Sequence, residues 1–280
     1  MTERRRLDMW LLDQGQTQTR SRAQALIMAG KVMVNGRIET KSGRLITEGT
    51  DTVRVSEPLP FVSRGGAKLA HALDTFRISP VGWSVIDIGA STGGFTDCWL
   101  QRGVDQVFAV DVGYGQLEWR LRQDPRVVVM DRTNARYLTR NNFPGETVIT
   151  GASIDASFIS LRLLLPPLLR ILEPQATVIA LVKPQFEAGR GRVGKGGVVK
   201  DAQVHEQVLF NVIETARAIG FEVAGLTTSP IRGPEGNIEF LLRLGIENPS
   251  GLGGDMKETD DRIDIPAVVQ TAWKAGERDG

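Results

Sequence analysis

Cysteine is nearly absent from this 280-residue chain: Cys98 stands alone, so no internal disulfide can form. Histidine is almost as scarce. His71 and His205 lie far from each other and from Cys98, so the ligand spacing of a structural metal site is missing. No apolar run approaches the roughly 18 residues of a membrane-spanning helix. The opening MTERRRLDMWLL lacks the long apolar segment and small-residue cleavage site of a secretory leader. These absences predict a cytoplasmic protein with no membrane association.

A charge excess of one sign is also missing overall, the net being +1. The balance conceals an asymmetry: residues 1–46 carry 9 basic and 4 acidic side chains, and residues 247–280 carry 4 and 8. A basic head implies a surface that faces phosphates. With 41% hydrophobic and 24% charged residues the chain has the composition of a packed globular protein, not a disordered one. Its length accommodates one large domain with a small companion.

Within the head, Leu7, Trp10 and Leu11 stand at helical spacing, and Ala23, Leu26 and Ile27 repeat it after a cap at Thr19 or Ser21, with Gly30 as a stop. Asn35-Gly36 between two short β-prone runs predicts a two-residue hairpin, and Thr52 to Val55 a further strand. Arg4, Arg6, Arg20, Arg22, Lys31 and Arg37 are the candidate RNA-backbone contacts of this unit. The arrangement resembles the S4 RNA-binding domain. It is assigned residues 1–60, with a linker at 61–64 after the prolines Pro58 and Pro60.

From residue 65 to 246, β-like and helix-like runs alternate, which predicts an α/β domain with a parallel sheet covered on both faces. Ser84 to Ile88 is a strand that runs into Gly89-Ala90-Ser91-Thr92-Gly93-Gly94 and a helix from Phe95. This spacing differs from G-x-G-x-x-G, and Asp87 would repel a pyrophosphate but suits a cationic ligand. The glycines are read as allowing a ligand close to the backbone. Three more strands end at Asp111, Asp131 and Asp155. Each aspartate alone is explained as well by a helix cap or a solvated loop. Four at successive strand ends point to a ligand, and S-adenosylmethionine satisfies them: its adenosine at Asp111 and Asp131, its ammonium and sulfonium near Asp87 and Asp155.

The strand Thr177 to Val182 runs straight into Lys183, while Lys68 precedes the first strand and Glu239 belongs to the last. Lys68, Asp155, Lys183 and Glu239 match in order and context the tetrad of FtsJ-like ribose 2′-O-methyltransferases. More narrowly, SRGGAKL, DIGASTGGFTD, VDVGYGQLEWRLR, DRTNAR, IDASFISL, LVKPQFE and GNIEF resemble the hemolysin TlyA family of ribosomal RNA 2′-O-methyltransferases. The resemblance implies a Rossmann-like class I methyltransferase domain. It implies Lys183 as the base or hydroxyl-orienting group, Asp155 and Glu239 as holders of the lysines, and Lys68 as added positive charge. It also implies ribosomal RNA or ribosomal subunits as partner, with a cytidine ribose of 23S rRNA as acceptor and one of 16S rRNA as a second. No obligate protein partner is implied.

The stretch EAGRGRVGKGGVVK is too rich in glycine for a helix and offers Arg190, Arg192 and Lys195 to RNA, as does Arg232 in the loop before the last strand. Residues 247–280 are read as a polar linker and a short terminal helix. A non-catalytic RNA-binding assembly factor is the alternative from another class, which an altered tetrad would favour; all four residues are intact. A membrane-lysing role has no apolar helix or cationic amphipathic segment behind it.

Overall fold

The computed structural model describes residues 4–17, 19–28, 30–55, 60–194, 196–246 and 263–276. The chain divides into two compact units, residues 1–59 and 60–280.

In the first unit, β1 (Arg4–Arg6) is followed by α1 (Leu7–Asp13) and α2 (Arg20–Met28), then by β2 (Val32–Val34), β3 (Arg37–Glu39), β4 (Leu45–Thr47) and β5 (Val53–Val55). Leu7, Leu11, Ala23 and Ile27 bury the facing stripes of the two helices against Val32, Val34 and Ile46. Thr19 Oγ1 accepts from Arg22 N at the start of α2. Asn35 and Gly36 take φ of 53° and 76°, the left-handed pair that a type I′ hairpin turn requires.

The strand pairing β1 with β4 has no alternating pattern in the sequence, and three arginines in a row gave no hint of it. Its consequence concerns Asp8, which is fully buried. Arg6 grips it with Nε and NH2, both at 3.1 Å, Arg20 Nε donates at 3.0 Å, and Gln24 Nε2 at 2.9 Å. These donors hold the carboxyl well below the usual carboxylate range, the Arg6 hydrogen bond first among them. Arg6 and Arg20, read from sequence as RNA contacts, are therefore tied to an internal carboxylate. Lys31 and Arg37 do not form one cluster either, because the register Val32↔Glu39 and Val34↔Arg37 puts them at opposite ends of the hairpin.

The second unit comprises α3 (Gly65–Thr75), β6 (Ser84–Ile88), α4 (Gly94–Gln101), β7 (Gln106–Val110), α5 (Trp119–Arg122), β8 (Val127–Met130), β9 (Gly151–Ile154) and α6 (Leu165–Ile171). It continues with β10 (Thr177–Val182), α7 (Pro184–Glu187), α8 (Ala202–Ile219), β11 (Phe221–Thr228), β12 (Phe240–Ile246) and α9 (Ile265–Gly276). Its sheet runs β11-β12-β10-β9-β6-β7-β8. The sequence predicts a parallel sheet, and the sheet is parallel from β10 to β8; β12, however, inserts antiparallel between β11 and β10. All six residues of β10 are buried, because both faces of the sheet are covered and no position needs to be polar. Leu69, Leu73, Phe95 and Trp99 of α3 and α4 pack on one face. The other face carries Leu165, Leu168, Val208, Leu209 and Val212 of α6 and α8.

Residues 61–64, expected to link the units, are packed onto the second one. Phe61 is buried against Gly66, and Val62 N donates to Asp97 Oδ2 at 2.8 Å. The expected linker beyond residue 246 lies outside the described residues up to position 262.

The terminal helix α9 docks through Val269, Ala272 and Trp273, whose Nε1 donates to His205 Nδ1 at 3.1 Å. Burial pushes His205 from 6.5 down to about 4. Between those values the unfolded chain takes up the proton and the folded one does not, so this group's stabilisation is complete above pH 6.5 and is lost as pH falls toward 4. We expect thermal melting of wild type to drop more between pH 7 and pH 5 than that of His205→Gln. An identical drop in both would show that other groups control the acid sensitivity.

Candidate active site

Four ionisable side chains meet at the carboxyl edge of the sheet. Lys183 follows β10 directly, and Pro184 at the first position of α7 restricts it to extended backbone, φ −110° and ψ 98°. That conformation delivers Lys183 Nζ to Asp155 Oδ1 at 2.7 Å and to Ser157 Oγ at 3.0 Å. Asp155 stands one residue past β9, and its N–H donates to Ile88 O at the end of β6. Lys68, on the second turn of α3, reaches Glu239 Oε2 at 2.5 Å across 171 residues of sequence. Lys68, Lys183 and Glu239 are each at most 9% exposed, a degree of burial that charges tolerate only when paired.

Both pairs line one pocket of about 300 Å³, together with Ser63, Arg64 and Arg232. Four cationic and two anionic side chains at this pocket make it attractive to phosphate. A second cavity of about 640 Å³ adjoins it and shares Gly89, Ser91, Asp155 and Ser157. Asp111 lines this larger cavity. Its two carboxylate oxygens accept from Ser91 N at 2.8 Å and from Gly113 N at 2.7 Å, which fixes their direction and leaves lone pairs for a diol. Phe158, 91% exposed at φ 62°, borders the same cavity, and its ring lies 4.9 Å from that of Phe186. A bulky side chain held in left-handed backbone stores strain of the kind that functional loops retain.

The structure brings Lys68, Asp155, Lys183 and Glu239 together and adds Gly89, Ala90, Ser91, Thr92, Gly94, Phe95 and Arg232 around them. It does not bring Asp87 or Asp131 to either cavity. Asp87 is fully buried, and its carboxylate accepts from Thr96 Oγ1 at 2.6 Å and Ser153 Oγ at 2.8 Å, Ser153 in turn accepting from Trp99 Nε1. Desolvation pushes this carboxyl up to about 6, so Asp87 ties α4 to the sheet from beneath the site. Asp131 is held by the Arg122 guanidinium and by Gly115 N.

The glycines also differ in role from the expectation. A Cβ on Gly93 would stand 2.3 Å from Leu121, one on Gly94 2.3 Å from Ser63 Oγ, and one on Gly89 2.7 Å from the Asp155 carbonyl oxygen. Neighbouring protein by itself already demands the absence of a side chain at all three. Arg192 is exposed on a short 3-10 turn that Arg190 opens; Lys195 lies outside the described residues. The glycine-rich loop is tied down by Asn237, whose Oδ1 accepts from Val199 N and whose Nδ2 donates to Gly197 O. Sequence reasoning missed Asn237, Ser157, Arg64 and Phe158. Their motifs were visible, but only the structure shows that Ser157, Arg64 and Phe158 face the cavities and that Asn237 holds the glycine-rich loop.

An α/β sheet of this order, with a lysine-rich pocket beside a larger cavity at the same strand ends, defines a methyltransferase with a Rossmann-like fold. The description FtsJ-like methyltransferase matches residues 61–246 and the S4 domain matches residues 5–51, so the chain belongs to the FtsJ-like methyltransferase family and carries an S4 module. Within that family it groups with the TlyA and hemolysin A proteins. It is 48% identical to YqxC of Bacillus subtilis over 98% of this chain and 95% of that protein. It is 44% identical to the 16S/23S rRNA (cytidine-2′-O)-methyltransferase TlyA of Mycobacterium tuberculosis, over 90% of this chain and 94% of the other. A solved structure described as a hemolysin from Streptococcus thermophilus shares 44% identity and a TM-score of 0.75, covering 100% of this chain and 99% of its own.

Gly89 sits where both cavities meet, at φ 80°, and any side chain there must displace the backbone of Asp155. We expect Gly89→Ala to weaken S-adenosylmethionine binding by roughly tenfold or more in calorimetry. Unchanged affinity would show that the two strand ends can part without disturbing the larger cavity.

Proposed function

We propose that this chain is an S-adenosylmethionine-dependent ribosomal RNA methyltransferase that modifies a cytidine ribose 2′-hydroxyl. The observation that carries the reading is the pair of buried lysine–carboxylate contacts in a basic pocket that shares Asp155 with the larger cavity. TlyA of Campylobacter jejuni, 32% identical over 70% of this chain and 75% of its own length, is named for 23S rRNA, and the mycobacterial relative for both 16S and 23S. Because 23S is common to both names, it is the proposed target, with 16S as a second. A ribosomal substrate puts the enzyme in the cytoplasm.

The larger cavity fits the cofactor: Asp111 accepts from the ribose hydroxyls, and Gly89, Ser91 and Asp155 border the donor end. When bound, S-adenosylmethionine supplies an electrophilic methyl carbon. The chain's own groups prepare the acceptor. Arg64 and Arg232 attract the flanking phosphates, and the exposed Phe158 ring offers a stacking face to a splayed-out base. Lys183 Nζ orients the 2′-hydroxyl, and the lysine, having first released a proton to solvent, takes the hydroxyl proton as oxygen attacks. Asp155 and Ser157 hold Lys183 in place, and Glu239 holds Lys68, whose charge balances the phosphates. In the first unit Arg4, Arg22, Lys31 and Arg37 remain the proposed backbone contacts, with Arg6 and Arg20 contributing through the side of the guanidinium turned away from Asp8.

Transfer of labelled methyl from S-adenosylmethionine to isolated ribosomal subunits, followed by mapping of the modified atom, tests the reading. Lys183→Ala should lower the rate by about 10² or more while cofactor and RNA affinity stay near wild type. Label on a base, or an unimpaired variant, would refute the assignment. Arg22→Ala should weaken RNA binding and reduce its salt dependence without lowering the melting temperature. Arg20→Ala should lower both, because it also deprives Asp8 of a donor.

A further inference from the structure

The LVKPQFE motif contributes more than Lys183. α7 is a single turn, and at its end Glu187 extends a carboxylate back toward the loop that follows β9. Oε2 accepts from Ser160 Oγ at 2.6 Å and Oε1 from Leu161 N at 2.8 Å. Ser160 is the cap of the 3-10 turn Leu161–Leu163, so Glu187 satisfies a backbone donor that the turn leaves open. The two segments are thereby joined at successive points: Lys183 to Asp155 and Ser157, Phe186 to Phe158, and Glu187 to Ser160 and Leu161.

Behind the last of these ties lies a pocket of about 350 Å³, between Ser160, Leu161 and Glu187 on one side and Val208, Asn211 and Val212 of α8 on the other. The loop that carries Ser157 and Phe158 packs Ala156, Ile159 and Leu161 on the core, but at Ser160 it borders this open space. Packing there is incomplete, and the two hydrogen bonds from Glu187 supply a directed constraint that it lacks. Immediately after α7, Gly189 at φ 80° begins the glycine-rich basic segment, so the turn that anchors the loop leads directly into it.

We propose that Glu187 is a positioning residue for methyl transfer. Its carboxylate latches the loop bearing Asp155, Ser157 and Phe158 to the turn bearing Lys183, and so sets the geometry in which the acceptor hydroxyl meets the lysine. The proposal rests on the reading of the site as a ribose methyltransferase centre. Glu187 lines neither the lysine pocket nor the larger cavity, so it acts through the residues it holds. A displacement of about 1 Å at a reacting group can cost on the order of a hundredfold in rate.

The test compares Glu187→Ala with Glu187→Gln in the full-length protein. The amide of the glutamine can still accept from Leu161 N and donate to Ser160 Oγ, whereas alanine removes both contacts. We expect Glu187→Ala to lower kcat by roughly tenfold or more, with S-adenosylmethionine affinity within about threefold of wild type, and Glu187→Gln to recover most of the loss. Amide hydrogen exchange over residues 158–164 should accelerate in the alanine variant and return to wild-type rates in the glutamine variant. Unchanged kcat and exchange in Glu187→Ala would overturn the latch. Equal impairment of both variants would overturn it too, by showing that the negative charge and not the hydrogen-bond geometry matters. If wild type itself transfers no methyl group, the ribose methyltransferase reading fails, and the exchange comparison still decides whether Glu187 holds the loop.

Discussion

Two ammonium groups buried at the edge of a sheet constrain almost everything around them. A charge removed from water is tolerated only beside an opposite charge, and breaking such a pair costs about 3–5 kcal/mol. Lys183 meets this condition locally, because β10 lies next to β9 and the residues that follow the two strands face each other. Lys68 meets it at long range. Its carboxylate, Glu239, comes from just before β12, and only the antiparallel insertion of that strand between β10 and β11 brings it within reach of α3. The irregular strand of the sheet is thus also the one that completes the site.

The same constraint separates the two adjoining cavities chemically. Cationic side chains from α3, β10 and the loop before β12 converge on the smaller one, while Asp111 presents acceptors to the larger. Asp155 borders both. A carboxylate in that place holds a lysine on one side and borders the larger cavity on the other, so the two cavities meet at one strand end. The glycine turn after β6 makes this closeness possible, since Gly89 lets the strand ends approach where any Cβ would strike the Asp155 carbonyl oxygen.

Much of the site was legible because its residues occupy positions that the strand pattern locates. Asp111, Asp155 and Lys183 terminate apolar runs, and parallel strands end on one side of a sheet. Asp87 and Asp131 also end strands, yet neither lines the two cavities. The register of β6 turns Asp87 toward α4, where Thr96 and Ser153 enclose it, and Arg122 holds Asp131. Alternation along a strand says that a side chain changes face, not which face a helix will cover. In the first unit, the arginine run concealed a strand, and two arginines read as RNA contacts also hold a buried aspartate.

The sequence by itself determined the element order, the division into a basic head and an α/β body, and the set of residue types able to perform the chemistry. Those properties follow from periodicity, turn residues and ordered motifs, all of which act over a few neighbouring positions. The tertiary structure alone decided the antiparallel place of β12, the partner of Lys68, the enclosure of Asp87, the exposure of Phe158 and the contacts of Glu187 and Asn237. Each of these depends on which distant segments come to lie side by side, and burial, the dominant determinant of what a charge or a hydrogen bond contributes, exists only once they have.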